Sequence, residues 1–346
     1  MHSSRNRGAA RPRYLSLTLT AGALGLLFAT TSAHSQAQQQ PSIDDVVTSI
    51  NGVITNLGMG PAFHQWNTER GVLESRLGEL GQRTAETGVW VRGLGAKQSI
   101  GHGVPAVRQD LGGIRLGWDQ TIAAQDGRWI WGVLAGYSRA NRNLGLGNKA
   151  TADSYSAGLY GGYLADNGAF GTAALTYNRL GNKVKLNSDF LGANTSYDNN
   201  AAGLALDAGR RFGFEQGWFL EPRAGLDFFY LGKTQRERGN NMWVTATDGS
   251  VTQARAALKL GREVELSNGT ITPYVRVGVA KAWAHSSKDD FQTVSKYGVG
   301  GARMEVGGGV AANLGKSHSL FADYTYSSGK GFKQPVAVLA GYRYQW

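Results

Sequence analysis

Cysteine is absent from this chain of 346 residues. Disulfide frameworks, thiol nucleophiles and cysteine-ligated zinc are therefore excluded. Histidine is scarce, at His2, His34, His64, His102, His285 and His318, and none stands in an H-E-x-x-H pattern. No G-x-S-x-G elbow and no Walker motif occurs. Past the N-terminal region, no stretch approaches 18 consecutive apolar residues, so helices crossing a membrane are excluded. A membrane β-barrel is not excluded, because its apolar residues come at every second position. The 50 glycines follow no period of three, which removes a collagen-like reading. The net charge is +11, but the cations are scattered singly and no nucleic-acid motif accompanies them, so no nucleic-acid partner is expected. No cofactor and no metal is implied.

What is present begins with an export signal. Arg5, Arg7, Arg11 and Arg13 form a positive region, residues 15–30 an apolar one, and Ala33-x-Ser35 or Ser35-x-Ala37 a small-residue cleavage site. Residues 1–37 thus read as a cleaved signal peptide; a single membrane anchor is the alternative, disfavoured by the Thr, Ser and Gly in the apolar core. Next come two helical patterns. Ile43, Val46, Val47, Ile50, Val53, Ile54 and Leu57 recur at helical spacing and predict an amphipathic helix over 42–57, inside a short segment 38–61. Gly58 to Pro61 reads as a break. Residues 62–81 predict a second helix, within a linker 62–87. Its charges (Glu69, Arg70, Glu74, Arg76, Glu79) leave polar groups on most of its circumference, which suits a wet, charged surrounding.

From Gly88 onward the period changes to two. Twelve strands are predicted, at 88–100, 108–123, 129–142, 151–165, 169–184, 198–213, 218–232, 251–265, 270–284, 301–314, 318–328 and 335–346. In the last (P-V-A-V-L-A-G-Y-R-Y-Q-W), Val336, Val338, Ala340, Tyr342, Tyr344 and Trp346 share one face; Arg343 and Gln345 lie on the other. Short turns such as Asp166-Asn167-Gly168 and Ser267-Asn268-Gly269 alternate with longer loops such as 186–197, 233–250 and 285–300. This is the pattern of an outer-membrane barrel, with the short turns periplasmic. Opposite the apolar faces, the alternation collects Arg92, Arg115, Asp119, Asp207, Arg211, Glu221, Arg223, Asp227, Arg255, Lys259, Glu263, Arg276, Arg303, Glu305, Asp323 and Arg343. In the dry core of a soluble sandwich each unpaired charge would be very costly; in a lumen they pair and meet water. The expected fold is therefore all-β, a twelve-stranded antiparallel transmembrane β-barrel over 88–346. The Gly-rich runs at 298–301 and 307–309 are expected to relieve crowding between wall and pore helix. His285 and Ser286, with Ser287, Asp289 and Asp290, lie in one loop, and the clustering argues against a triad.

The segment R-L-G-E-L-G-Q-R-T-A-E-T-G-V-W-V-R-G-L-G from Arg76 resembles the junction of autotransporter translocator domains. W-G-V-L-A-G-Y-S-R from Trp131, A-G-R-R-F from Ala208, G-W-F-L-E-P-R-A from Gly217, G-K-S-H-S-L-F-A-D-Y-T-Y-S from Gly315 and A-G-Y-R-Y-Q-W from Ala340 are similar to the pertactin-like branch. The resemblance covers about residues 70–346 and implies a twelve-stranded barrel with an N-terminal α-helix threaded through its pore. It also implies type V secretion: an outer-membrane translocator of a Gram-negative cell that anchors or exports its N-terminal segment without enzymatic turnover. Its partners would be outer-membrane lipid and lipopolysaccharide, the barrel assembly machinery and periplasmic chaperones, and the barrel would be monomeric. Tyr342, Tyr344 and Trp346 would be its assembly signal. The large passenger of that family is expected to be missing here, since only residues 38 to about 61 lie between the expected signal peptide and the linker. Some relatives cut their own linker at an asparagine in the pore, which would place self-cleavage at Asn67 and Thr68. Two other functions stay open: a stand-alone barrel for surface adhesion or serum resistance, acting through extracellular loops at 187–197 and 232–250, or a porin-like channel.

Overall fold

Alternating side chains build the architecture strand by strand. The structure, a computed structural model, describes residues 58–75, 87–101, 106–145, 147–185, 194–238, 242–246, 248–286 and 299–346. The expected signal peptide and the expected 42–57 helix lie outside the described residues, as do Ser287, Asp289, Asp290 and Gly298 of the 298–301 run.

The twelve strands are β1 (Gly88–Ile100), β2 (Val107–Ala124), β3 (Gly127–Gly145), β4 (Asn148–Ala165), β5 (Ala169–Lys185), β6 (Asn194–Arg210), β7 (Trp218–Leu231), β8 (Gly249–Arg262), β9 (Gly269–Ser286), β10 (Gly301–Leu314), β11 (His318–Gly329) and β12 (Phe332–Gln345). Each pairs antiparallel with its sequence neighbours, and β12 returns to β1 from Gly88↔Gln345 to Ile100↔Phe332 with one irregularity near Lys97. The sheet is thus a closed barrel with no free edge. Strands of 12 to 19 residues exceed the roughly 9–11 that a tilted strand needs to cross a membrane.

The turn end holds the tight connections. At Asp166-Asn167-Gly168 the glycine adopts φ +85°, its N–H donates to the Ala165 carbonyl at 3.0 Å, and a Cβ there would lie 2.3 Å from the Arg211 carbonyl oxygen. Only glycine fits that position. At the opposite, loop end, three expected loops are partly strand. Residues 194–197 already belong to β6, paired to β5 through Tyr197↔Asn182. Between β7 and β8, Thr234–Arg238 pairs with Met242–Ala246 as a separate hairpin. His285, expected in a loop, pairs with Ser250 inside β9. In each case strand alternation runs further than turn-forming residues suggest.

The outward face is apolar between two aromatic rows. Trp118, Trp129, Trp131, Trp218, Tyr342 and Tyr344 mark the turn end, and Tyr137, Tyr155, Tyr177, Tyr230 and Trp283 the loop end, with exposed Leu116, Val133, Leu159, Leu175, Leu226 and Val277 between them. Trp129 and Tyr137 are eight residues apart on β3. At about 3.3 Å per residue and a tilt of about 40°, that separation gives roughly 20 Å of height, close to the lipid-facing band of membrane barrels.

Inside the barrel lies one α-helix among the described residues, α1, spanning 58–75. It starts earlier than expected. Gly58 to Pro61, read from the sequence as a break, forms the first turn, where proline's missing N–H is no loss.

Candidate functional site

The site is the lumen and the helix that fills it. Three levels follow from the sequence of α1. At the loop end, Met59, Ala62, Phe63 and Trp66 are buried against Leu180, Ala201, Phe229, Leu231, Val251, Ala282 and Val299. Trp66 and Phe63 sit 5.3 and 5.9 Å from the Phe229 ring, and His64 stacks on Phe332 at 4.0 Å. The Trp66 indole N–H donates to Thr176 Oγ1 at 2.9 Å, so its one polar atom is satisfied in the apolar collar. Gly203 makes room for this indole: a Cβ there would meet its ring atoms at 2.3 Å. Gly203→Val is expected to prevent α1 from docking while the barrel still closes, and adding Trp66→Ala to restore docking. Protease protection of the helix in the folded barrel reads this; full protection in the single variant would refute the packing argument.

The middle level is polar and buried. Glu69 accepts from Arg115 Nη2 at 2.5 Å, from Ser138 Oγ at 2.6 Å and from Asn178 Nδ2 at 2.8 Å. Gln65 donates to Ser138 and accepts from Arg142, and Gln98 donates to both Thr68 Oγ1 and Gln334. These bonds tie one face of α1 to β1, β2, β3 and β5, and through Gln98 to β12.

At the lower level, Glu74 meets four guanidiniums: Arg70 at 2.8 Å, Arg223 and Arg255 at 3.2 Å and Arg276 at 3.5 Å. Arg255 is also paired with Asp227 at 2.7 Å and Asp207 at 2.9 Å. Arg92 Nη1 donates to Ser75 Oγ at 2.5 Å and to the Val72 carbonyl at 3.4 Å. A cation thereby meets a backbone carbonyl near the last described turn of the helix, hydrogen-bonded there at Val72 as well as at the Ser75 hydroxyl.

Of the expected lumen charges, Arg92, Arg115, Arg223, Asp227, Arg255 and Arg276 touch α1, Asp227 through Arg70 at 3.7 Å. Others pair along the wall. Arg343 donates to Asp119 at 2.7 Å, and Asp119 also accepts from Tyr160, which accepts from Trp90. Arg211 bridges Glu221 at 3.0 Å and Glu263 at 3.3 Å, with Glu263 more exposed at the turn-end rim. Arg303 pairs with Glu305, and Asp323 accepts from Tyr274. Lys259 lies over the Tyr274 ring at 4.5 Å. Tyr342, Tyr344 and Trp346 lie outward and exposed, with the Trp346 N–H donating to the Thr87 carbonyl at 3.1 Å.

Asn67 and Thr68 stand in mid-helix. Asn67 Oδ1 accepts from Gln253 at 3.2 Å and from Arg70 at 3.4 Å, and Thr68 Oγ1 donates to the His64 carbonyl. The glycines at 307–309 are not beneath α1 as expected. A Cβ at Gly309 would meet the Ala322 carbonyl oxygen and the Tyr274 hydroxyl, both groups of the wall itself. The residues that sequence reasoning missed as site residues are those of the plug: Phe63, Trp66, Glu69 and Glu74. The signal for the two acids was the wall, whose foreseen lumen charges include more cations than acids.

Comparison with known proteins agrees with this geometry. The autotransporter beta-domain family matches residues 89–325. The pertactin autotransporter of Bordetella parapertussis is 34% identical over 319 residues, covering 90% of this chain and 34% of its own length. The crystal structure of the β-domain of the Bordetella autotransporter BrkA aligns with TM-score 0.66 at 28% identity, over 75% of this chain and all of that one. The translocator domain of NalP from Neisseria meningitidis shares the fold at TM-score 0.61 and 14% identity, over 84% of this chain and 99% of that one. The chain spans about a third of the length of the curated pertactin relatives it matches.

Proposed function

The chain belongs to the autotransporter β-domain family, and from that premise we propose that it carries the segment ahead of α1 to the outer face of the outer membrane and keeps α1 as the plug of its own pore. The supporting observation is the direction of the helix. Gly58 packs on Leu231 and Met59 on Gly249, both at the loop end, whereas Ser75 is held by Arg92 of β1, which starts at the turn end. A chain that enters α1 from the loop end and leaves it toward β1 has its N-terminal side on the loop-end, extracellular side. The aromatic rows and the apolar band between them give the barrel its place in the bilayer. In this reading the barrel works without turnover, its partners are lipid, periplasmic chaperones and the barrel assembly machinery, and Tyr342, Tyr344 and Trp346 serve assembly.

A tag inserted after Gln40 tests the reading. In intact cells it is expected to react with a membrane-impermeant label, and N-terminal sequencing of the same material is expected to start near Gln38. A tag reached only after the outer membrane is opened would refute export. A start at Thr68 would instead show that the linker is cut inside the pore.

A further inference from the structure

Above the loop-end tyrosines the strands continue, and their outward faces change character. Register places Arg139, Asp153 and Asp198 just past Tyr137 and Tyr155, with Arg139–Asp153 at 2.7 Å and Arg179–Asp198 at 3.1 Å. The acids nearest the apolar band are thus engaged by arginines. Two residues further out, Thr151 and Lys183 face each other, with Asn141 beside Thr151. In the outermost row, Arg108 pairs with Asn143, Asn143 with Lys149, and Lys149 with Lys185. Arg108, Lys149, Lys183 and Lys185 are exposed, and no hydrogen bond or ion pair joins the three lysine ammoniums to another described residue. Asp110, opposite Asn141 and Lys97, is the acid of these outer two rows.

Like charges placed directly opposite on adjacent strands repel. Lys149 and Lys185 do so with Lys183 two residues away, on a face that points sideways from the barrel rather than outward from its tip. Side chains there project into the layer of lipid headgroups, and amide and hydroxyl groups lie between the cations. We propose that this face of β2–β5 binds the phosphate-bearing sugar headgroup of lipopolysaccharide in the outer leaflet, with Lys149, Lys183 and Lys185 on its phosphates and Asn143 and Thr151 on its hydroxyls. The proposal rests on the outer-membrane orientation given above. Phosphate supplies the compact negative charge that three converging ammoniums match, and the sugar supplies groups for the amides.

The test uses the full chain, purified from outer membranes in mild detergent, and the variant Lys149→Gln/Lys183→Gln/Lys185→Gln. Each basic side chain near an anionic lipid surface contributes roughly a fivefold factor, so the variant is expected to bind purified lipopolysaccharide on the order of a hundredfold more weakly at low salt. Dephosphorylated lipopolysaccharide is expected to bind the native chain as weakly as intact lipopolysaccharide binds the variant. The charge-keeping variant Lys149→Arg/Lys183→Arg/Lys185→Arg is expected to retain binding. Both variants should keep the heat-dependent gel mobility of a closed barrel, since the substituted side chains are exposed. Equal retention by the native chain and the glutamine variant would overturn the proposal. So would binding to phosphatidylglycerol vesicles or to heparin as tight as to lipopolysaccharide, or displacement by millimolar inorganic phosphate. Failure of the native chain to fractionate with outer membranes would instead overturn the functional reading beneath it.

Discussion

Deleting residues 58–75 is expected to turn a nearly non-conducting barrel into an open channel in planar bilayers, with conductance rising at least about tenfold because the freed bore is roughly the 10 Å width of a helix. Two features make the intact pore tight. The collar around Phe63, Trp66 and Phe229 is apolar and buried, so it offers permeating ions no polar partner to replace their hydration. The Arg70–Glu74–Arg255–Asp227 cluster fixes α1 lower down, where ions entering from the periplasm would meet paired charges rather than free ones. Steady high conductance from the intact chain would refute the plug. Restored closure on adding a peptide of residues 58–75 would show that the helix, and not a rearranged wall, blocks the pore.

Glu69→Ala is expected to weaken docking of α1 by about 3–5 kcal/mol, the usual consequence of removing one partner of a buried ion pair. Arg115, Ser138 and Asn178 would face a methyl group instead of a carboxylate. The loss falls on the plug and not on the barrel. Once α1 leaves, Arg115 faces a water-filled lumen and recovers its hydration, so the empty barrel is equally stable with either residue. The variant should therefore open often in single-channel records and expose α1 to protease, while the unfolding midpoint of the barrel itself hardly moves. A matching fall in barrel stability with no gain in opening would contradict this division. Glu69→Gln, which keeps an acceptor, should lie between the two.

Most of the barrel was legible because its physics is local. In β2, Ile114 and Leu116 point to lipid while Arg115 and Asp119 point inward, and the charge pattern alone separates the two faces. The fit of helix to wall was not legible. Phe63 and Trp66 look like two apolar residues in a polar helix until Phe229, Thr176 and Gly203, from three other strands, are seen around them. Nothing near 63 and 66 in the chain encodes that collar. Pro61 misled for a related reason: proline reads as a stop wherever the helix start is unknown, and it is harmless in a first turn. The ends of β6 and β9 ran past their expected limits because polar strand tips beyond a membrane lose the apolar alternation that marks a strand.

The Asp119–Arg343 bond joins residues 224 apart, across the β1–β12 seam. Every other neighbouring pair of barrel strands is also neighbouring in sequence, so hairpins can form while most of the chain is still unstructured. The seam alone joins the first strand to the last, and folding slows as contacts grow distant in sequence. Barrel closure is therefore expected to be a late step. Arg343→Gln should delay the appearance of the compact, heat-modifiable form while leaving the earlier gain of strand content unchanged, a difference that time-resolved circular dichroism beside gel mobility would record.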